Sequence, residues 1–510
     1  MEDSTPIIIG GGQFTQKTND PLTALPPMGI AAEAAKAALA DTGQAAVVAS
    51  AIDTIAIVRI FPDSSPRRMH GFGRANNPPR AVARRIGANP RNAIYSNVGG
   101  QSPQALVSEM AERITAGDVE MVLLGGAESI KTQRNAARQG IELDWSEHDE
   151  GSQEDRTPGV MFASNQELQH GIGIPVNTYP LFEQAMRGHL GNSIADHRAV
   201  MGKLFAPFTQ VAAKNPYAYY PTERTAEQLV TPSDENRWIA FPYPKWLVAQ
   251  DNIDQGASII LTSVGKAREL GIDPSKWVFI HGVSEAKEGT TVLDREKFHA
   301  SNALRINTGR AFDMAGIGID DISFIDIYSC FTAAVEQACD AVGLAWDDPR
   351  GLTLTGGLPY FGGPGNNYTM HGFVEMLPRL RANPGSYALI TANGGYISKH
   401  ATGIYSTSPT EGTWQREDPS ICQAEVDAIA RPAVDEAPTG PATIETYTVV
   451  HSRTGPASGI IIGRLNESGA RFCANTPDDL DSLNNLMAQD SLGRPGTVST
   501  DDGMNMFVPD

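Results

Sequence analysis

Twice in this chain a glycine-rich turn runs into a helix and then into an apolar strand that ends on a glycine pair. The first copy is Ser96-Asn97-Val98-Gly99-Gly100-Gln101-Ser102-Pro103, the helical run Gln104 to Ile114, the apolar stretch Val119 to Leu124, and Gly125-Gly126. The second is Gly356 to Gly365 (GGLPYFGGPG), a helix from Tyr368 to Leu380, the strand Tyr387 to Thr391 (YALIT), and Gly394-Gly395. The copies share a pattern rather than residue identities, and a pattern repeated at this scale points to duplicated halves. Strands alternating with helices place those halves in the layered α/β class, with a parallel sheet covered on both faces. A helix that starts on a glycine turn leaves unpaired N–H groups facing that turn, a setting for an oxyanion or a nucleophile. Here the turn holds glycine.

The remaining segments extend the alternation. Pro6 to Gly12 reads as a buried strand, Gly29 to Thr42 as an alanine-rich helix, Ile52 to Ile60 as a strand and Arg80 to Ile86 as a basic helical turn. Residues 131 to about 245 break the rhythm, being rich in Asn, Gln, Tyr, Pro and charge, with one amphipathic helix expected over Leu181 to Phe208. They read as an inserted cap. Strands resume at Ala257 to Thr262, Trp277 to Val283 and Ile322 to Tyr328, with helices at Val264 to Leu270 and Ser301 to Ala315. After Gly412 the composition changes, Pro438 to Pro441 reads as a linker, and short alternating strands follow (Ala442 to Val450, Ala457 to Leu465, Gly469 to Ala474). These predict a small antiparallel barrel, with a poorly ordered end from Asn484 to Asp510. The expected division is 1–270 (insertion about 131–245), 271–415, and 416–510.

At 510 residues the chain should hold two or three domains. Its 40 basic against 59 acidic residues give a net charge of −19, which argues against nucleic acid or an anionic membrane as a partner. Four cysteines without C-x-x-C spacing fit reduced thiols better than disulfides or a zinc site. His189 and His197 lack the i, i+4 spacing of a zinc helix and read as surface or cap residues, and no metal is expected. Gly10 to Gly12 is not a dinucleotide fingerprint. Met1 to Pro6 shows no secretory signal and no apolar run reaches the ~20 residues of a membrane span, so a soluble cytoplasmic protein is expected.

The turns carry a resemblance that pattern alone could not supply. The chain resembles the thiolase superfamily, in the group of sterol-carrier-protein-type thiolases and thiolase-like proteins of the acetyl-CoA acetyltransferase family. Asn97 to Ser102 lies where thiolases have their N-x-x-C-x-S nucleophile turn, and Gly125-Gly126-Ala127-Glu128-Ser129 is close to G-G-x-E-S. Ile327-Tyr328-Ser329-Cys330-Phe331 resembles N-E-A-F or H-D-C-F, Gly362-Gly363-Pro364 resembles G-H-P, and Ala392-Asn393-Gly394-Gly395 resembles C-x-G-G. These elements run in the family's order over about residues 6 to 412. The resemblance implies a thiolase fold of duplicated αβαβα halves with an inserted cap, plus an OB-like β-barrel at the C-terminus. It also implies coenzyme A as substrate or product. At four of its positions the familiar side chain is replaced: the nucleophilic cysteine by Gly100, the oxyanion-binding Asn or His by Tyr328, the histidine of G-H-P by Gly363, and the acid/base cysteine by Ala392.

Without those groups the ordinary two-step thiolase reaction lacks its thiolate, its proton shuttle and its oxyanion donors. Backbone at Gly100, Gly363, Gly394 and Gly395 could still hold an oxyanion or substrate. Ser102 joins them as a candidate substrate- or oxyanion-binding hydroxyl, with a nucleophile as one reading and a helix N-cap as the better one. Tyr328, and Tyr396 beside the lost second cysteine, are the candidate acid/base phenols; a thiolase-fold retro-aldolase acting on sterol side-chain CoA thioesters resembles this pattern. Cys330 is a candidate thiol, and His371 and His400 are candidate bases in place of the missing histidine. The expectation is an acyltransferase-like enzyme or carbon–carbon lyase acting on an acyl-CoA or β-keto acid. Retro-aldol cleavage is one route. The other is retro-Claisen cleavage, with CoA attacking in the space that Gly100 leaves. The alternative is a non-catalytic acyl-CoA-binding or scaffold protein. Homodimer and monomer are both left open.

Overall fold

The repeat returns as strand topology. The computed structural model describes residues 2–64, 71–156 and 163–510; part of the expected insertion, 157–162, lies outside the described residues. In chain order the strands are β1 (Pro6–Thr15), β2 (Thr54–Ile57), β3 (Asn92–Tyr95), β4 (Met121–Ser129), β5 (Glu154–Asp155), β6 (Trp238–Ala240), β7 (Tyr243–Pro244), β8 (Asp254–Ser263) and β9 (Val278–Lys287). Next come β10 (Ile322–Asp326), β11 (Tyr387–Gly394), β12 (Lys399–Ser406), β13 (Gly440–His451), β14 (Pro456–Leu465), β15 (Arg471–Asn475), β16 (Pro495–Asp501) and β17 (Met504–Pro509). The large sheet runs β10-β11-β12-β9-β1-β8-β4-β2-β3-β5. Across one half, β2–β4 is parallel and β4–β8 and β8–β1 are antiparallel. Across the other, β10–β11 is parallel and β11–β12 and β12–β9 are antiparallel. The halves therefore share one plan, and they join where β1 meets β9 at Ile7–Phe279 and Ile8–Val278.

This corrects the all-parallel sheet expected from the alternation. The helices do connect parallel neighbours, but each half ends in antiparallel strands, one of them β12, returned by the Gly394–Gly395 hairpin.

Side-chain alternation sets the layers. Ile7 and Ile9 face the packing around the alanine-rich helix Pro27–Asp41, whereas Ile8 faces the opposite core. Gly12 is required by the first of these contacts, because a Cβ there would lie 2.5 Å from the Ala34 carbonyl oxygen. The second core holds both turn-following helices, Ser102–Thr115 through Leu106, Val107 and Met110, and Tyr368–Ala382 through Met370, Phe373 and Met376. The two turns thus enter the molecule side by side.

Where a single helix was expected over Leu181 to Phe208, the insertion forms two. Pro175–Leu190 stops at Gly191, which takes a left-handed φ of 68°, and Ile194–Lys214 restarts with Ser193 as its side-chain cap. Phe182, Phe205 and Phe208 pack into the same core as Ile325, Ile327 and Phe331. The C-terminal strands close as β13-β14-β15-β17-β16-β13. The segment expected to be poorly ordered supplies the second half of the helix Leu480–Ala488 and both closing strands, held by buried Val498 and Phe507. The barrel is fastened to the rest by Arg471, whose guanidinium is buried between Glu445 (2.7 Å) and the Leu293 carbonyl (2.8 Å). Arg187 adds a two-pronged pair to Asp490 at 2.7 and 3.1 Å. No helix among the described residues is long and apolar enough to cross a membrane.

Candidate active site

Each turn is held by the other half. The Gly99 N–H donates to Asn366 Oδ1 at 3.2 Å, and Thr369 Oγ1 donates to the Gly100 carbonyl at 3.1 Å. Ser102 is the first residue of its helix and not the cap expected of it; its hydroxyl donates back to the Asn97 carbonyl at 3.2 Å and ties the turn. Gln101 takes the cap position without a side-chain bond. Among the described residues, no acceptor is recorded for the Gly100 N–H.

The space beside Gly100 is filled. A Cβ at that position would collide with the Tyr328 hydroxyl oxygen and the Asn393 carbonyl oxygen, and would lie 2.7 Å from Tyr328 Cζ. Tyr328 arrives from just past β10, its N–H bonded to Thr391 Oγ1 at 3.2 Å and its ring edge-on to Tyr368 at 5.4 Å. The vacancy expected at Gly100 for an attacking thiol therefore contains the phenol. Burial holds the Tyr328 hydroxyl far above the usual phenol range, with Cys330 and Tyr368 adding to the effect, so it stands protonated.

A small cavity beside it is lined by Tyr328, Thr391, Ala392, Asn393, Ile397 and His400. The β11–β12 hairpin sets Asn393 opposite His400 in register, so His400 returns toward the site rather than running away from it. His400 Nε2 lies 3.1 Å from the Ile397 carbonyl and 3.1 Å from Ser301 Oγ. A carbonyl can only accept, so the network assigns the proton to Nε2 and leaves Nδ1 as a lone pair. That Nδ1 is buried without a partner. Ser301 donates to Glu288 at 2.6 Å, and Glu288 faces Arg295 at 3.8 Å. Burial lowers His400 to about 4, so the ring is neutral at physiological pH.

Cys330 borders the same group. Asn393 Nδ2 donates to Tyr179 Oη at 3.0 Å, with Cys330 Sγ at 3.9 Å, and burial pushes the Cys330 thiol up to about 12. A thiol in that state is not a nucleophile. Tyr179 comes from the insertion, is stacked on Phe331 at 4.2 Å, and donates to the Gly395 carbonyl at 3.2 Å.

The other candidates lie apart. His371 is fully buried, with Nδ1 2.8 Å from Gln13 Oε1 and its ring edge-on to Phe361, and burial lowers it to about 3. The Tyr396 hydroxyl donates to the Gly173 carbonyl, and burial pushes it up to about 12. The Gly363 N–H is taken by the Gln250 carbonyl at 2.8 Å. A side chain at Gly363 would meet only ordinary contacts. Gly394 packs against the Gly100 turn, where a Cβ would lie 3.0 Å from the Gly100 nitrogen.

Comparison with known proteins follows the same lines. Residues 422–503 match the family model described as the thiolase-like protein type 1 additional C-terminal domain. The crystal structure of a monomeric SCP2-thiolase-like protein type 1 from Mycobacterium smegmatis is 41% identical, covers 100% of this chain and 99% of its own, and superposes with a TM-score of 0.85. The chain belongs to the SCP2-thiolase-like proteins of type 1. Its fold is accordingly the thiolase fold with the family's added C-terminal barrel. An Ltp2-ChsH2(DUF35) aldolase structure resembles this type 1 protein in fold, at 20% identity and a TM-score of 0.56, covering 79% of this chain and 98% of its own. An acetyl-CoA acetyltransferase of Methanocaldococcus jannaschii is 21% identical over 251 residues. That match takes in 49% of this chain and 56% of the relative, so the type 1 chain spans little more than half of the relative's length.

Sequence reasoning missed Tyr179, Ser301 and Glu288. Tyr179 sits in an irregular polar insertion with no motif around it. Ser301 and Glu288 are joined to His400 only by the β9–β12 pairing and the loop after β9. Asn393 stood inside a quoted motif and carried the needed signal.

Proposed function

We propose that this protein binds an acyl-CoA thioester and breaks a carbon–carbon bond of its acyl group by proton transfer, with no acyl-enzyme. The observation that carries the reading is the protonated Tyr328 phenol over Gly100 together with the unpartnered Nδ1 of His400, two residues that border one small cavity. A buried donor and a buried lone pair on residues that border one cavity are suited to an aldol-type cleavage. In that reaction His400 Nδ1 takes the proton of a β-hydroxyl, and the freed O–H electron pair becomes the carbonyl of a released aldehyde or ketone. The Cα–Cβ bond breaks, and its electrons move onto the thioester as an enolate. The Tyr328 hydroxyl and the Gly100 N–H stabilise that oxygen, and the His400 proton returns to Cα. Ser301 and Glu288 hold the imidazole in the required tautomer. The aldol route is preferred to the retro-Claisen one because the Tyr328 phenol occupies the room an attacking thiol would need. A monomer is part of this reading, after the M. smegmatis relative.

The second reading, a binder without turnover, is favoured by the replacement of four thiolase side chains at Gly100, Tyr328, Gly363 and Ala392. A panel of β-hydroxyacyl-CoA esters, assayed for carbonyl product and shortened acyl-CoA, separates the two. The proposal expects cleavage of at least one ester, reduced roughly 10²-fold or more in Tyr328→Phe. Tight CoA-ester binding without any product would establish the second reading instead.

A further inference from the structure

On the helices of the insertion and the helix that follows Cys330 lies a cluster that the reaction does not use. Glu183 of the helix Pro175–Leu190, His197 of the helix Ile194–Lys214 and Glu336 of the helix Thr332–Val342 present ligand atoms all within 4.8 Å of one another. Of the reading of His197 as a surface or cap residue, the cap half holds, since it lies in the insertion at 1% exposure, whereas His189 is exposed and stacks on His299. Glu183 and Glu336 are fully buried. Glu183 is well supported: His197 Nε2 lies at 2.6 Å, Thr332 Oγ1 donates at 2.6 Å, and the Tyr243 hydroxyl donates to its other side.

Glu336 is the exception. No donor from another residue type reaches either of its carboxylate oxygens among the described residues, its polar neighbour is the Glu183 carboxyl, with which it can share a proton, and no lysine or arginine pairs with it or with Glu183 there. An uncompensated buried carboxylate is costly, and a second carboxylate beside it increases the cost. A cation satisfies both at once. One imidazole nitrogen and two carboxylates form a borderline-hard donor set suited to zinc or manganese, with Thr332 and Tyr243 orienting the Glu183 carboxylate from outside.

We propose that Glu183, His197 and Glu336 bind one divalent transition-metal ion, which fastens both insertion helices to the helix that follows Tyr328 and Cys330. The insertion carries Tyr179 into the active site, so the ion would hold that tyrosine's helix in place.

The test uses the full chain, freed of any affinity tag, stripped with chelator, and titrated calorimetrically with Zn²⁺, Mn²⁺ or Mg²⁺ alone. Expected is one equivalent of Zn²⁺ or Mn²⁺ per chain, a higher thermal midpoint with the ion present, and little binding of Mg²⁺. Glu336→Gln keeps the side-chain shape and should weaken binding by more than about 100-fold, the upper end of what outer-shell partners contribute. Its far-UV circular dichroism should be unchanged. His197→Gln should do the same. Failure of the wild-type chain to bind Zn²⁺ or Mn²⁺ stoichiometrically would overturn the proposal, leaving a carboxyl pair that shares a proton. Unchanged affinity in folded Glu336→Gln would overturn it equally.

Discussion

At Gly100 a missing side chain and a present one explain each other. The phenol of Tyr328 occupies the volume a larger residue at position 100 would need, and the two departures from the thiolase pattern form one exchange. Gly100→Ala should therefore lower stability by about 1–3 kcal/mol through overpacking, measured by urea unfolding. In a Tyr328→Ala background the same substitution should cost less, because the ring that it strikes is gone. Strictly additive costs would show that the turn moves aside instead. This pairing was half legible beforehand. The sequence marks Gly100 and Tyr328 as unusual, but residues 228 apart meet only through the side-by-side packing of two halves, which no local signal encodes. Cys330 and His371 were read from their chemical types and their places near the motifs. Their environments, which push the thiol up and the imidazole down, follow from burial that only the assembled core supplies.

At the scale of elements, helix and strand periodicity located most of the pieces, and the errors arose at boundaries and returns. Gly191 is an example. One apolar face runs through both insertion helices, so periodicity joins them, while a single left-handed glycine divides them. Nothing lies within 4 Å of a Cβ built there, so Gly191→Ala should cost only backbone strain, about 1–2 kcal/mol, seen as a lower urea midpoint with an unchanged m-value. The end of β10 makes a second prediction. Asp326 accepts from the Leu354 N–H at 2.7 Å and Thr353 Oγ1 at 3.1 Å, yet burial raises it to about 6. A carboxyl raised in the folded state favours folding below its unfolded value of 3.8, and that contribution is lost as pH rises through about 6. The stability difference between Asp326→Asn and wild type should therefore shift in favour of the variant by about 3 kcal/mol from pH 4 to pH 8. A flat difference would mean that the carboxylate is solvated in the folded state. His400 shows the role of a return: without β12 the residue has no direction, and the hairpin that sets it against Asn393 is specified by the Gly394–Gly395 turn and a strand that the sequence reading did not assign.

Over the whole molecule, duplication, insertion and barrel were each visible as shifts in composition and period, whereas their mutual docking was not. Arg471, Arg187 and the Tyr179 contact bind barrel, insertion and core together through groups that look like ordinary surface charge or scattered aromatics in the sequence. The account built on that assembly is that carbon–carbon cleavage proceeds with His400 carrying the proton and Tyr328 stabilising the enolate oxygen, with no covalent acyl intermediate. Its most direct test is intact-protein mass spectrometry during turnover of a cleaved β-hydroxyacyl-CoA ester. The account predicts released carbonyl product with the protein mass unchanged throughout, and both product and turnover lost in Tyr328→Phe. A protein species heavier by the acyl group, mapping to Cys330 or any other side chain, would contradict it.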